Sequence, residues 1–396
     1  MLRLQGITWE HKRAVRPLEA LNLAFKKQRP DVEIKWNTRP LSGFEFDPID
    51  HLAINNDLII YDHPFCGRVH TTGCLINMDE ILEMAGGSTS YVGPSMESYC
   101  YGGNSWAIPV DAACQVAAYR PDLLSNLDHE IPLTWDDACL LAEKCVARGL
   151  TACIALNGVH ALMTFFSLCA NLGQPFASDN CGPSENNSAI PEALEQMRRF
   201  LILCRAPVLD WNSIELQEQL SSSDELVYCP AVYGFSTYGE GDRQNKLAFA
   251  HFPGLEKSNS NAGSTIGGAG LGISTRVLDN PSRCEAAIEY ASLAASPLVQ
   301  SSVFSTHHGQ PACLEAWRND QIDLKFNRFF SATKATIESS WIRPRYHGYL
   351  RFQAIGGNLI EAHLRGDLSE KEFLLRLYKL DADCRDNPNP NQKSLF

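Results

Sequence analysis

The stretch LRLQGITW (Leu2–Trp9) opens the chain as a strand-like segment, and the segments that follow it decide the fold class. Residues 13–28 repeat apolar side chains at helical spacing, and residues 32–36 alternate apolar and polar side chains as a half-buried strand does. Residues 57–62 form a short apolar run bounded by polar residues, which is typical of a buried parallel strand. This order of elements predicts an α/β layered domain.

Similar signals continue towards the C-terminus. Thr134 is placed to cap a helix over Trp135–Ala147, and residues 106–119 predict two extended pieces separated by Pro109 and Asp111. The glycine-rich residues 263–272 predict a turn that leads into a strand. The other predicted elements are a strand over 226–233 and helices over 191–205, 284–296, 353–364 and 369–380.

Length and charge exclude several classes of protein. A chain of 396 residues predicts two or three domains. Lys and Arg number 34 against 46 Asp and Glu, and this net charge of −12 argues against binding to nucleic acid, which needs concentrated basic residues. No run approaches the roughly 20 apolar residues of a membrane-spanning helix, so membrane insertion is not expected.

The N-terminus and the cysteines predict a reducing compartment. The first residues show no basic segment followed by an apolar stretch and a cleavage site. The 14 cysteines are scattered as singles with no Cys-x-x-Cys pair, which favours free thiols over a disulfide framework. We therefore expect a cytoplasmic protein, or a periplasmic one if an export signal has been removed.

Four groups of residues stand in a recognisable order along the chain. They are 7–9 with 25–32, 57–60 with 73–79, 106–111 with 119–123 and 132–137, and 267–274 with 286–287, 296–297 and 309–312. The most specific group reads WAIPVD, YRPDL and PLTWDD. This order resembles the extracellular solute-binding proteins of ABC importers, in their maltose- and multiple-sugar-binding branch.

The resemblance implies a two-lobed α/β fold of the periplasmic-binding-protein type II class, with the ligand in a cleft between the lobes. It implies one lobe over residues 1–110 and 255–315, and the other over 111–254 and 316–396. The implied partners are a small-molecule ligand and, if the native protein is exported, an ABC permease.

The first candidate site follows the first strand. Thr8, Trp9, Glu10 and His11 combine hydrogen-bonding, stacking and acid–base groups at a strand end, where open α/β sheets bind ligands. A plain strand end with a polar exit is the alternative.

The second candidate site follows the strand at residues 57–62. Asp62, His63 and Phe65 could bind a ligand, and Cys66 would be a nucleophile if His63 lowered its pKa. Adjacent residues of an extended chain point in opposite directions, so a direct contact between Asp62 and His63 is not expected. A polar loop that closes a strand is the alternative.

Aromatic residues near the expected lobe crossings form a third group. Trp106 with Asp111 would supply a stacking face and a carboxylate, and Phe235 with Tyr238 would supply further aromatic faces. Packing in the core is the alternative for each of them.

Glycines and histidines complete the candidates. Gly267 and Gly268 would leave backbone N–H groups for ligand oxygens, unless they form a plain turn. His307 and His308 would donate hydrogen bonds to a ligand, unless they form an ordinary loop, and their spacing matches no zinc motif. The glycines complete neither a dinucleotide fingerprint nor a P-loop, so no cofactor is expected.

Two functions remain open from the sequence. The first is small-molecule binding by closure of two lobes on a polar, carbohydrate-like or aromatic ligand. The second is a lyase, isomerase or hydrolase that uses the same cleft, with acid–base candidates Glu10, His11, Asp62, His63 and Asp111.

Overall fold

The computed structural model describes residues 1–241, 245–255 and 263–388, and the chain divides into two compact units. Unit 1 comprises Met1–Ala113, Gly267–Ile322 and Arg345–His347. Unit 2 comprises Cys114–Ile266, Asp323–Pro344 and Gly348–Phe396. The first three crossings therefore follow residues 113, 266 and 322, whereas the resemblance implies crossings after residues 110, 254 and 315.

The described residues form a mixed α/β structure. The strands are β1 (Leu2–Trp9), β2 (Val32–Arg39), β3 (Leu58–Tyr61), β4 (Cys100–Tyr101), β5 (Asn104–Ser105), β6 (Ile108–Tyr119), β7 (Tyr228–Tyr233), β8 (Ala248–Ala250) and β9 (Ile266–Ile273). The first helices are α1 (Lys12–Gln28), α2 (Leu41–Phe46), α3 (Ile49–Asn55), α4 (Cys66–Thr72), α5 (Asp79–Met84), α6 (Ser95–Ser98), α7 (Pro121–Leu124), α8 (Trp135–Ala147) and α9 (Val159–Asn171). The remaining helices are α10 (Ala189–Leu201), α11 (Ser213–Ser222), α12 (Pro281–Ala295), α13 (Pro297–Val299), α14 (Leu314–Trp317), α15 (Asp320–Lys325), α16 (Phe329–Glu338), α17 (Tyr349–Arg365) and α18 (Glu370–Asp386).

Unit 1 is built on a mixed sheet in the order β2-β1-β3-β9, with the beginning of β6 next to β9. Strand β1 runs parallel to β2 and to β3, where Ile7 pairs with Ile59, while β9 runs antiparallel to β3. Helix α1 buries Leu18, Leu21 and Phe25 on its apolar face. The strand–helix–strand pattern predicted for the first 62 residues is confirmed.

Unit 2 uses the second half of β6, which pairs antiparallel with β7 and with β8. Helix α8 begins as predicted, because the Thr134 side chain accepts the Asp137 N–H and the Asp137 side chain accepts the Thr134 N–H. Helix α9 was not predicted. It is apolar on almost every side and lies in the core, so it shows no amphipathic period.

Two predicted elements are wrong in detail. Residues 108–119 form one continuous strand rather than two extended pieces, although Pro109 lies within it. The glycine-rich segment is itself strand β9 rather than a turn. Its glycines let neighbours pack against the backbone, because a Cβ on Gly270 would lie 2.7 Å from the Cβ of Ala107, and one on Gly272 would lie 2.7 Å from Cδ1 of Leu75.

None of the helices in the described residues is both long and apolar enough to span a bilayer. All fourteen cysteines fall within the described residues and are free thiols, as the scattered spacing predicts. Nine of them are buried, four are half-buried and only Cys181 is exposed.

Candidate functional site

The carboxyl ends of β1 and β3 meet at one edge of the unit 1 sheet. Their parallel register pairs Gly6 with Leu58 and Ile7 with Ile59, and Glu10 and Asp62 each follow directly after the last residue of their strand. Open α/β sheets bind ligands at such an edge. The two candidate sites of the first 66 residues therefore lie at the same edge of the sheet.

A buried ion pair stands behind this edge. Arg13 Nε lies 2.7 Å from Asp111 Oδ2, and Arg13 Nη2 lies 2.5 Å from Asp111 Oδ1. The two side chains are only 3% and 7% exposed. Burial raises the pKa of Asp111, Arg13 opposes that rise and the negative charge of Asp62 adds to it. Both oxygens of Asp111 thus accept hydrogen bonds from Arg13, and a contact between Asp111 and a ligand stays a prediction.

A small cavity adjoins the pair. Its volume is about 20 Å³, which holds a single water or hydroxyl group rather than a whole sugar. Thr8 is fully buried at its wall, and the Thr8 hydroxyl has no hydrogen-bond partner among the described residues. The lining residues are Thr8, Trp9, Arg13, Ala14, Pro17, Leu18, Ile60, Val110, Asp111, Phe304 and Gly309.

The residues after β1 divide into buried and accessible groups. Trp9 is 5% exposed and packs on Phe44, with ring centroids 4.8 Å apart. Glu10 is exposed, and His11 is half-buried at the start of α1, where its Nδ1 accepts the N–H of Arg13 at 3.1 Å. Of this group, Glu10 and His11 are the residues whose side chains reach the surface.

Asp62 and His63 are in direct contact, so the expectation that they point apart is wrong. His63 Nδ1 lies 3.0 Å from Asp62 Oδ1. The reason is local, because residues 63–65 form a 3₁₀ turn capped by Asp62 rather than an extended chain. The carboxylate orients the imidazole, which is 1% exposed, while the Asp62 side chain is 14% exposed.

Cys66 and Phe65 belong to the core beside this turn. Burial raises the pKa of the Cys66 thiol well above its usual range, which is the opposite of what a nucleophile requires. Its sulfur faces the Tyr99 carbonyl at 3.7 Å. Phe65 packs edge-on against Tyr61 with ring centroids 6.3 Å apart. The buried Cys66 thiol therefore lacks the lowered pKa that the nucleophile hypothesis requires.

Trp106 and the glycines serve packing as well. Trp106 is 8% exposed, and its indole N–H donates to the Tyr101 carbonyl at 2.9 Å. Gly267 and Gly268 begin the second segment of unit 1 within β9. Gly268 has φ +122°, and a Cβ there would lie 2.3 Å from the Asp111 carbonyl oxygen. This close backbone approach explains the glycine at 268 without a ligand.

The paired histidines form a surface turn of unit 1. His307 is exposed, and its Nδ1 lies 2.8 Å from the Val303 carbonyl oxygen. His308 has φ +67° and directly precedes the cavity-lining Gly309. Across residues 1–241, 245–255 and 263–388, no group of three or more His, Cys, Asp or Glu side chains is arranged to hold a metal ion.

The aromatic candidates of unit 2 lie in its core. Phe235 is 6% exposed and Tyr238 is fully buried. The Tyr238 hydroxyl donates to Glu218 Oε1 at 2.8 Å, and the two rings meet edge to face with centroids 6.4 Å apart. Phe235 and Tyr238 therefore pack in the core of unit 2, which is the alternative given for them. Half-buried Tyr233 closes β7 immediately before them.

Sequence reasoning missed two arginines at the unit 1 edge. Arg13 falls on the apolar face of α1, where a basic residue indicates a buried carboxylate partner. Arg39 ends β2, is 5% exposed and donates to the Ile60 carbonyl at 3.1 Å. Burial lowers the pKa of Arg39 to about 10. The helical position of Arg13 was the available signal, whereas nothing in the sequence near Arg39 indicates its burial.

By sequence, the chain matches no protein-family model and no curated protein. Solved structures do match. A maltose-bound MalE3 of T. maritima has a TM-score of 0.82 at 15% identity, covering 96% of this chain and 100% of that one. An ABC transporter solute-binding protein from Agrobacterium radiobacter in complex with ribitol has a TM-score of 0.78 at 17% identity, covering 97% and 98%.

A third match is an ABC transporter solute-binding protein from Thermotoga lettingae bound to α-D-tagatose. Its TM-score is 0.79 at 14% identity, and it covers 96% of this chain and 100% of that chain. The match over almost the whole length confirms the fold class inferred from the resemblance. This chain therefore has the fold of the maltose-binding type of ABC solute-binding proteins.

Proposed function

We propose that this protein binds a polar, uncharged small molecule of the carbohydrate or polyol kind. The observation that carries the proposal is the similarity over 96–97% of the chain to proteins described with maltose, ribitol and α-D-tagatose bound. These three compounds share many hydroxyl groups and carry no charge. A ligand of the same kind is the simplest occupant for the same fold.

The chemistry of the unit 1 edge supports an uncharged ligand. The Arg13 guanidinium gives two N–H groups to Asp111, so its charge is already balanced by a carboxylate. The Asp62 side chain is 14% exposed, and Glu10, which follows β1 at the same edge, is exposed. Carboxylates accept hydrogen bonds from hydroxyl groups and repel anions. An edge of this composition favours a hydroxyl-rich ligand over an acidic one.

Closure of two lobes on the ligand, expected from the resemblance, is part of this proposal. We also propose a cytoplasmic location, because the fourteen free thiols are typical of a reducing compartment. An ABC permease is the proposed partner only if the native protein is exported.

The Asp62 side chain provides the test of the binding edge. We expect Asp62→Asn to weaken the affinity for maltose, ribitol or α-D-tagatose about ten-fold, because a neutral amide oxygen replaces the charged acceptor and the hydrogen bond loses its charge assistance. Calorimetric titration measures this change. Glu19→Gln is the matched control, since Glu19 is a half-exposed carboxylate on α1 paired with Arg16. Equal affinity in all three proteins would place the ligand elsewhere.

The Asp62–His63 contact supports a second candidate, an enzyme with acid–base chemistry at the same edge. A carboxylate that orients an imidazole is a common arrangement for proton transfer. We expect this function to show turnover of a bound compound that disappears in His63→Ala or Asp62→Asn while binding persists. Full activity in both variants would remove these residues from the mechanism.

A further inference from the structure

Two buried thiols lie opposite each other in the core of unit 2. Thr151 forms a parallel bridge with Leu226, and its N–H donates to the carbonyl of the residue before Leu226 at 2.9 Å. Two residues further on, the N–H of Cys153 donates to the Tyr228 carbonyl at 2.8 Å. A ladder bond of this kind places the donor opposite the residue that follows the acceptor. Cys153 therefore lies opposite Cys229, and both side chains are fully buried.

The two sulfur atoms lie beside the same short stretch of β7. Cys153 Sγ lies 3.6 Å from the Tyr228 carbonyl oxygen, and Cys229 Sγ lies 3.5 Å from the Ala231 carbonyl oxygen. The two thiols are also hydrogen-bonded to each other, and this bond together with burial raises the pKa of Cys153 well above its usual range. The reduced thiols are therefore in contact.

The backbone places both cysteines within the reach of a disulfide. Neighbouring strands lie about 4.8 Å apart, and a disulfide joins Cα atoms that are about 4.4–6.8 Å apart. Because opposite positions on adjacent segments have a separation in this range, we expect the bond to form without a shift of either segment.

Two further thiols provide the competing pairs. The thiols of Cys204 and Cys145 add to the rise in the pKa of Cys153, so they lie in its neighbourhood. The hydrogen bond with Cys229 is the largest cause of that rise, and Cys229 is also the cysteine that lies opposite Cys153 in the ladder. Both observations favour Cys229 as the partner of Cys153.

We propose that Cys153 and Cys229 form an intramolecular disulfide when the chain folds in the presence of a small-molecule disulfide, and that they stay reduced when it folds in a reducing compartment. The oxidation state of this pair then records the compartment in which the chain folded. The proposal concerns a modification site in the core of unit 2 and does not rest on the proposed binding of a carbohydrate or polyol.

The reaction is a thiol–disulfide exchange in two steps. One cysteine thiolate attacks the small disulfide, whose S–S bond breaks as a mixed disulfide forms. The thiolate of the other cysteine then displaces the second small thiol and closes the bond between Cys153 and Cys229. Two protein thiols are oxidised, one small disulfide is reduced to two thiols, and these take up the two protons. Because both side chains are fully buried in the folded chain, the exchange takes place before unit 2 closes around them.

Refolding in glutathione buffers tests the pairing. Reduced wild-type protein is unfolded in urea and refolded at a series of ratios of oxidised to reduced glutathione, and mass spectrometry of unreduced peptides locates each disulfide. We expect the Cys153–Cys229 bond in the refolded protein. We expect it at a ratio about ten-fold lower than the same bond requires in urea, because the fold raises the effective concentration of one thiol at the other.

Single substitutions provide the controls. Cys153→Ala and Cys229→Ala should each abolish the linked peptide and leave the remaining cysteine reduced. Cys169→Ala is the matched control, since Cys169 is an equally buried thiol of unit 2 whose pKa is raised by burial alone. It should leave the Cys153–Cys229 bond and its glutathione ratio unchanged.

Three results would overturn the proposal. The first is a refolded protein in which Cys153 and Cys229 stay reduced at every ratio. The second is a bond from either of them to Cys204 or Cys145. The third is a Cys153–Cys229 bond that requires the same ratio in the refolded protein as in urea. All three are measured on the wild type, so they decide even where a variant fails to refold.

Discussion

Arg13 and Asp111 form a two-point ion pair inside unit 1, between the first turn of α1 and strand β6. Asp111 lies two residues before Ala113, where the chain leaves unit 1 for the first time. A residue near the start of the chain therefore fixes the strand that leads out of the unit.

This ion pair predicts a non-additive effect on stability. Arg13→Met leaves a buried carboxylate without its partner, so we expect the free energy of unfolding to fall by about 3–5 kcal/mol. Asp111→Leu should reduce the free energy of unfolding by a similar amount, because it leaves the Arg13 guanidinium buried without its partner. The double variant should lose much less than the sum. Denaturant unfolding of the four proteins measures the difference, and additive losses would contradict the account.

A larger residue at Gly67 in α4 would clash with the backbone of a distant segment. A Cβ at this position would lie 1.9 Å from the Arg345 carbonyl oxygen, which is backbone that has to move. We expect Gly67→Ala to reduce the free energy of unfolding by about 1–3 kcal/mol, although alanine normally favours a helix. The control is Gly73→Ala at the end of the same helix, where a Cβ meets no atom within 4 Å and only the φ of +62° opposes it. A stabilised Gly67→Ala would be inconsistent with this packing.

His160 predicts an acid-sensitive step in stability. Burial lowers the pKa of His160 in α9 to about 4, below the usual value of a histidine near 6.5. The folded state keeps the imidazole neutral, whereas the unfolded chain binds a proton below pH 6.5. The free energy of unfolding is therefore not reduced by His160 above pH 6.5, and it falls by at most about 3 kcal/mol as the pH drops from 6.5 towards 4. Unfolding measured across this range should show a smaller loss in His160→Asn than in wild type. The exposed His51→Asn serves as the control and should behave as wild type does.

The cysteines predict an order of chemical reactivity. Cys181 is exposed, whereas Cys66 is buried and its thiol pKa is raised by that burial. We expect a maleimide to label Cys181 first in the native protein and Cys66 only after unfolding. Mass spectrometry of the labelled peptides follows this order, and Cys181→Ser should remove the fast phase. Early labelling of Cys66 would restore it as a candidate nucleophile.

The sequence predicted the fold better than the site. Periodicity and capping residues are local signals, so β1, α1 and the Thr134 cap could be found from neighbouring residues. Ion pairs and burial depend on residues far apart in the chain, as with the 98 positions between Arg13 and Asp111. The aromatic residues Trp106 and Phe235 illustrate the same limit, since a core ring and a ligand-stacking ring look alike in sequence.

The most direct test of the account is a calorimetric titration of the wild-type protein with maltose, ribitol and α-D-tagatose, followed by mass spectrometry of the recovered compound. We expect at least one of them to bind saturably, one per chain, and to be recovered unchanged. No binding by any of the three, or conversion of the bound compound into a product of new mass, would contradict it.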